Sequence, residues 1–158
     1  MSGWPILDKK YHDGRSWVGW HYLCFYTSYM GNTAKKILIV DDSDSGRESL
    51  GALIKGLGYE VVEAASGLEA IDRATSVRPD LIMMGLCLPG IHGDEATKRL
   101  KSKSATRNIP VVISTAWSMG WNIGDRADRA LEAGAEEIVY KPFHATMLRD
   151  VLRTYLLG

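Results

Sequence analysis

The sequence has few cysteines, no charge excess and no long apolar run, and each absence excludes a class of protein. Only two cysteines, Cys24 and Cys87, occur in 158 residues, and they lie far apart without metal-ligand spacing. This usage argues against a disulfide-stabilised scaffold and indicates a reducing compartment, so we expect a cytoplasmic protein. Lysine plus arginine and aspartate plus glutamate number 19 each, with no basic block, so we expect no nucleic-acid partner.

Apolar stretches are also too short for a membrane protein. None approaches the roughly 18 residues that a membrane-spanning helix needs. The N-terminus lacks the charged, apolar and small-residue layout of a signal peptide. We therefore expect no membrane association, and the length suits one domain with a substantial core.

The first 33 residues differ from the rest because aromatic side chains crowd into them. Three interpretations of this stretch remain open: an ordered arm that packs on the domain or on a second copy, a partner-binding tail, or upstream sequence preceding a natural start at Met30. We therefore divide the chain into an aromatic-rich extension, 1–33, and a domain, 34–158. The aromatic residues of the extension are Trp4, Tyr11, Trp17, Trp20, Tyr22, Phe25, Tyr26 and Tyr29.

From Ala34 onward, short apolar runs rich in β-branched residues alternate with helical periodicity. A continuous apolar run is typical of a strand that is covered on both faces. The pattern predicts strands over 36–40, 59–63, 81–84, 111–114 and 137–140.

Helical patterns fill the gaps between these runs. The first predicted helix ends at Gly56 and Gly58, and Ser66 caps the second. The third covers 94–101, the fourth covers 125–133 and ends at Gly134, and the fifth begins at about 145. Strands that alternate with helices predict a parallel sheet with helices on both faces. The helix residues expected to face inward are Leu50, Leu53, Ile54, Leu57, Leu68, Ile71, Ala74, Leu148, Val151, Leu152 and Tyr155.

Polar residues follow three of the predicted strands. Asp41 and Asp42 end the first, Thr115 the fourth and Lys141 the fifth. Ligands of such sheets bind outside the carboxyl ends of the strands. Paired carboxylates suit Mg²⁺, and a hydroxyl with a lysine suits the oxygens of a phosphoryl group. Each residue alone is an ordinary cap or turn residue, but their joint occurrence is specific.

Five motifs, ILIVDD, PDLIMM, LPGIHG, IPVVISTA and GAEEIVYKPF, give residues 35–156 a clear family likeness. This stretch resembles the receiver domain of two-component response regulators. The resemblance implies a flavodoxin-like, doubly wound α/β fold with strand order 2-1-3-4-5. It also implies phosphoryl transfer from a histidine kinase to an aspartate that ends strand three.

The resemblance assigns roles to residues at the strand ends. It implies a magnesium site made by Asp41, Asp42 and the backbone carbonyl of Cys87. It implies phosphoryl binding by Thr115 and Lys141. The position of the acceptor aspartate, however, is occupied by Gly85.

Glycine supplies no carboxylate nucleophile, so we expect no aspartyl phosphate at position 85. We expect weaker Mg²⁺ binding, and we expect Lys141 to turn to Asp42 or to reach into solvent. Removing one of three clustered acids also relieves repulsion, which is about 3 kcal/mol for two charges about 5 Å apart at an effective dielectric near 20. Nearby residues that could serve as relocated acceptors, but for which we expect structural roles, are Cys87, Asp41, Asp42, Ser114 and His92.

Two further positions depart from the family pattern. Ile138 stands three residues before Lys141, where receivers usually carry the aromatic residue of their switch, so we expect a muted switch or a different element. The loop TAWSMGWNIGDR is longer than the common receiver form and carries Trp117 and Trp121. We expect this loop to pack its own tryptophans, with a lid or a partner contact as the alternative.

The sequence therefore predicts a non-enzymatic, stand-alone signalling module that acts through protein contacts, because no output domain follows the last receiver helix. The expected partners are a histidine kinase, a phosphotransfer protein or a downstream signalling protein, with a second copy of the chain as a further candidate. One alternative is an inactivating substitution in a normal phosphoaccepting receiver. Two others are a Mg²⁺-dependent phosphohydrolase and a flavodoxin-like ligand-binding domain.

Overall fold

A computed structural model describes residues 34–116 and 123–157 of the chain. The interpretations of residues 1–33, and of Trp117 and Trp121, lie outside the described residues. The elements are β1 (Lys36–Val40), α1 (Asp44–Gly56), β2 (Glu60–Ala64), α2 (Gly67–Val77), β3 (Leu81–Gly85), α3 (Gly93–Ser102), β4 (Val111–Ala116), α4 (Ile123–Glu132), β5 (Glu137–Lys141) and α5 (Ala145–Leu156).

The five strands form one parallel sheet in the order β2-β1-β3-β4-β5, which confirms the predicted flavodoxin-like fold. The pairing places Gly85 opposite Ser114, and Thr115 opposite Tyr140. Because the strands are parallel, their carboxyl ends share one edge of the sheet. No helix in the described part of the chain is long and apolar enough to cross a membrane.

The core consists of two apolar layers, one on each face of the sheet. In β1, Leu38 and Val40 face the layer under α2, α3 and α4, whereas Ile37 and Ile39 face the layer under α1 and α5. This alternation follows from the two-residue side-chain period of a strand. Since both faces of the sheet are covered, its central strand β3 is apolar, and all five of its residues are buried.

The ends of two helices follow the predicted signals. Ser66 caps α2, and its hydroxyl accepts a hydrogen bond from the Glu69 N–H at 3.2 Å. Beyond α4, Gly134 adopts a left-handed backbone with φ +103°, in which glycine carries no steric penalty.

Two predicted inward positions are wrong. Leu68 is 51% exposed and Leu53 is 37% exposed. In α2 the inward stripe begins at Gly67, where a Cβ would lie 2.7 Å from the Ile91 carbonyl oxygen, so the next residue points away from the core. In α1 the buried stripe follows Leu50 and Ile54, which leaves Leu53 at its margin.

Candidate functional site

The ends of β1, β3, β4 and β5 surround one cavity of about 190 Å³. The fold brings together the two acids, the hydroxyl, the lysine and the glycine that the sequence singled out. The residues that line the cavity are Asp41, Asp42, Gly85, Leu86, Cys87, Ser114, Thr115, Ala116 and Lys141.

Asp41 is the most heavily bonded residue of this cavity. Its side chain is only 7% exposed. One carboxylate oxygen, Oδ1, accepts the Ser43 N–H at 2.9 Å, and the other, Oδ2, pairs with the Lys141 ammonium. The backbone carbonyl of Asp41 accepts a hydrogen bond from the Arg47 guanidinium at 2.7 Å. The carboxylate is therefore buried, fixed in orientation and neutralised by a lysine.

The expectation that Lys141 turns to Asp42 or to solvent is wrong. Lys141, 31% exposed, pairs with Asp41 instead. An ion pair is stronger where water is partly excluded, which favours the buried Asp41 over the exposed Asp42. Because β3 and β4 lie between β1 and β5, the lysine reaches across the end of β3, where Gly85 presents no side chain.

Two hydroxyls come from the end of β4. Ser114 is 2% exposed and Thr115 is 6% exposed. The Thr115 hydroxyl donates to the carbonyl of Ala116 at 3.4 Å, a length at which a hydrogen bond is weak. A ligand oxygen in the cavity would make a better acceptor for this hydroxyl.

Gly85 is closely surrounded by backbone. A Cβ added to it would lie 2.9 Å from the Val40 carbonyl oxygen and 3.1 Å from Leu88 Cδ2. Beneath it, the N-terminus of α3 comes so near that a Cβ on Gly93 would lie 2.2 Å from the Gly85 carbonyl oxygen. Any side chain at position 85 therefore requires a local shift of β1 or of the loop after β3.

The acidic residues of the cavity provide a small donor set for a metal ion. No group of three or more histidine, cysteine, aspartate or glutamate residues in the described ranges has metal-binding geometry. Asp41 and Asp42 line the cavity with their acidic side chains, and Cys87, whose backbone carbonyl the family resemblance assigns to the metal, lines it as well. Mg²⁺ accepts a few protein oxygens and completes its shell with water, so this set fits a largely hydrated ion.

Ile138 and Arg47 lie beside the site without lining the cavity. Ile138 pairs with Ile113 in the sheet, is half-buried, and packs against the layer under α4. Sequence reasoning missed Arg47, which also contacts Glu63 at 3.5 Å between Nε and Oε2. Its i,i+3 spacing from Asp44 at the start of α1 is a signal that could have predicted their ion pair, but not the bond to the carbonyl of Asp41.

The candidate relocated acceptors differ in whether they line the cavity. Cys87 has an exposed side chain at the cavity. His92 precedes α3 and does not line the cavity, and its buried Nδ1 has no hydrogen-bond partner among the described residues. A larger open groove of about 560 Å³ lies between α3 and α4. Charges of both signs line it, and two of them, Arg129 and Asp94, face each other at 3.8 Å between Nε and Oδ2.

This fold and this arrangement of strand ends define a class of signalling protein. Residues 37–153 match the model of the response regulator receiver domain, and the chain belongs to this family. Receiver domains are modules of two-component systems; they interact with histidine kinases and downstream signalling proteins, and they generally bind Mg²⁺.

Several relatives align with most of the described residues. The chain is 37% identical over 122 residues to the polar-differentiation response regulator DivK of Brucella anthropi, covering 77% of this chain and 96% of that protein. A putative response regulator from Chloroflexus aurantiacus has a similar structure, with a TM-score of 0.72, 34% identity, and coverage of 79% and 99% of the two chains.

A third relative bears on the metal. The receiver domain of a sensor histidine kinase from Pseudomonas aeruginosa matches with a TM-score of 0.71 and 30% identity, covering 79% of this chain and 99% of that one. That structure has a magnesium ion coordinated in its active-site cleft.

Proposed function

We propose that this receiver domain, which we assign to residues 34–158, signals through protein contacts without forming an aspartyl phosphate at position 85. The observation that carries the proposal is the position of Gly85. It ends β3 and lines one cavity with Asp41, Asp42, Thr115 and Lys141. In a receiver, this is where we expect the acceptor aspartate.

The chemistry of phosphoryl transfer explains why this glycine matters. Forming an acyl phosphate requires a carboxylate oxygen to attack phosphorus, and glycine has none. Thr115 and Lys141 remain suited to stabilise the oxygens of a transferred group, but the group has no attachment point at position 85. Asp41 is a poor substitute, because Ser43 and Lys141 already engage its two carboxylate oxygens.

The same substitution weakens the magnesium site. Receivers hold the ion with three acidic residues, and this cavity has two, of which Asp41 is paired with Lys141. When bound, Mg²⁺ supplies positive charge for phosphoryl oxygens. Asp42, Asp41 and the carbonyl of Cys87 would hold it here, with water completing its shell.

The partners we propose are those of a two-component system: a histidine kinase, a phosphotransfer protein or a downstream signalling protein, in the cytoplasm. The output surface that the family uses corresponds to α4, β5 and α5. Ile138 supports a switch that differs from the usual one, since its aliphatic, half-buried side chain packs against the core where receivers usually carry an aromatic ring.

A second candidate is that Gly85 inactivates an otherwise ordinary phosphoaccepting receiver. The retention of Asp41, Asp42, Thr115 and Lys141 around the glycine supports this alternative. It predicts that an aspartate at position 85 restores the complete response.

Nuclear magnetic resonance with beryllium fluoride tests the proposal, because beryllium fluoride binds carboxylates and mimics a phosphoryl group. With Mg²⁺ present, we expect no change at the Thr115 and Lys141 amides of the wild-type chain. The Gly85→Asp variant should show shifts at both, and Gly85→Ala is the matched control without a carboxylate. Shifts of equal size in the wild-type chain and in Gly85→Asp would refute the proposal.

A further inference from the structure

Lys141 pairs with Asp41, one of the two acids that would hold a metal ion in this cavity. Its ammonium group lies on Oδ2 of Asp41, and the other oxygen of that carboxylate is bonded to the Ser43 N–H at 2.9 Å. A carboxylate that is 93% buried needs a positive partner, because a lone charge is strongly destabilised away from water. In the described part of the cavity, this partner is the lysine.

We propose that Lys141 acts as a built-in cation that competes with Mg²⁺ for Asp41, so that the metal binds only by displacing the ammonium. The inference rests on the proposed role of Gly85. A carboxylate at the end of β3 would give the lysine another partner, nearer to β5 in the sheet order than Asp41. Without it, the ammonium crosses to β1.

Electrostatics make the two cations exclusive rather than additive. An ammonium and a divalent ion on one small carboxylate repel each other, and the burial of Asp41 limits the screening of this repulsion by water. The exposed Asp42 gives a metal ion one accessible ligand, so the ion can make a first contact there. It gains Asp41 as a second ligand only when the ammonium leaves. With the ammonium in place, the site is neutralised and ordered without metal, and Mg²⁺ concentration has little influence on it.

Titration with magnesium chloride at constant ionic strength tests this competition. Isothermal titration calorimetry would compare the wild-type chain with Lys141→Met, which removes the charge, and with Lys141→Arg, which keeps it. We expect Lys141→Met to bind Mg²⁺ at least about tenfold more tightly, because the interaction of two unit charges about 4 Å apart at an effective dielectric near 20 exceeds a tenfold effect on an equilibrium constant. Lys141→Arg should remain close to the wild type.

Lys35→Met is the matched control. Lys35 also pairs with an acid, Asp80, at 2.9 Å, but it precedes β1 and so lies at the opposite edge of the sheet. The Lys35→Met substitution changes the net charge by the same amount as Lys141→Met and should leave the Mg²⁺ affinity unchanged. Unchanged or weaker binding by folded Lys141→Met would overturn the inference, as would an equal gain in Lys35→Met.

A measurement on the wild-type chain covers the case in which Lys141→Met does not fold. The carbon resonances of Lys141 Cε and Asp41 Cγ should follow one binding curve during the magnesium titration. A shift of Asp41 Cγ with Lys141 Cε unmoved would overturn the inference.

The link to Gly85 has its own test. In the Gly85→Asp background, Lys141→Met should change the affinity less than in the wild type, since the ammonium has another partner there. An equal change would overturn the link. These outcomes are separate from failure of the proposed function, which would appear as a phosphoryl group or a beryllium fluoride response on the wild-type chain.

Discussion

The close packing around Gly85 predicts that even the smallest side chain destabilises the protein there. In Gly85→Ala the added Cβ would lie 2.9 Å from the Val40 carbonyl oxygen, which belongs to the backbone at the end of an interior strand, β1. The second contact, 3.1 Å to Leu88 Cδ2, involves a buried side chain. Neither neighbour can move without disturbing packed elements.

Two opposing effects set the magnitude. Overpacking of a rigid core costs about 1–3 kcal/mol. Alanine also restricts the unfolded chain more than glycine does, which returns about 0.4–1 kcal/mol of stability. The free energy of unfolding should therefore fall by about 1–2 kcal/mol. Gly85→Asp should be destabilised further at low Mg²⁺, because its charge adds repulsion from Asp41 and Asp42.

Urea denaturation followed by circular dichroism measures this change. A loss of about 1.5 kcal/mol lowers the urea midpoint by roughly 1 M. The matched control is Gly56→Ala, because a Cβ on Gly56 meets nothing within 4 Å and the residue ends α1. We expect this control to be as stable as the wild type or more so. A Gly85→Ala protein that is no less stable than the wild type would refute the steric reasoning.

Three further changes in stability are expected. Gly93→Ala should lose more than about 2 kcal/mol in urea denaturation, because its Cβ would lie 2.2 Å from the Gly85 carbonyl oxygen; exposed Gly124→Ala is its control. Ser66→Ala should lower the free energy of unfolding by about 1 kcal/mol in the same urea experiment, because α2 loses the hydroxyl that caps its N-terminus. Burial raises the pKa of Asp80, but hydrogen bonds from the Lys36 N–H and the Lys35 ammonium outweigh it and hold the pKa below its usual range. The charged Asp80 therefore stabilises the fold fully above about pH 4, and this contribution is lost as the pH falls through the lowered pKa. Urea midpoints measured between about pH 5 and 2 should fall less with pH in Asp80→Asn than in the wild type.

The sequence was sufficient for the sheet because its strands are buried on both faces. The predicted first strand, 36–40, matches β1, and the other strands differ by one or two residues at their ends. The convergence of Asp41, Thr115 and Lys141 was also predictable, since parallel topology alone places strand ends at one edge.

The predictions that were wrong concern features set by contacts between distant parts of the chain. The partner of Lys141 depends on the relative burial of Asp41 and Asp42, which adjoin in sequence and differ only in the fold. Leu68 satisfied a helical pattern, but the close approach of Gly67 to Ile91 set the rotation of α2. Local spacing contains neither kind of information.

The measurement that tests the central claim most directly is the intact mass of the chain after incubation with Mg²⁺ and a small acyl phosphate donor. The wild-type chain should keep its mass, and Gly85→Asp should gain one phosphoryl group. If neither reacts, the site has lost more than its acceptor and the second candidate function fails. A phosphoryl group on the wild-type chain would contradict the account, and peptide mapping would then begin with Cys87 and Asp42.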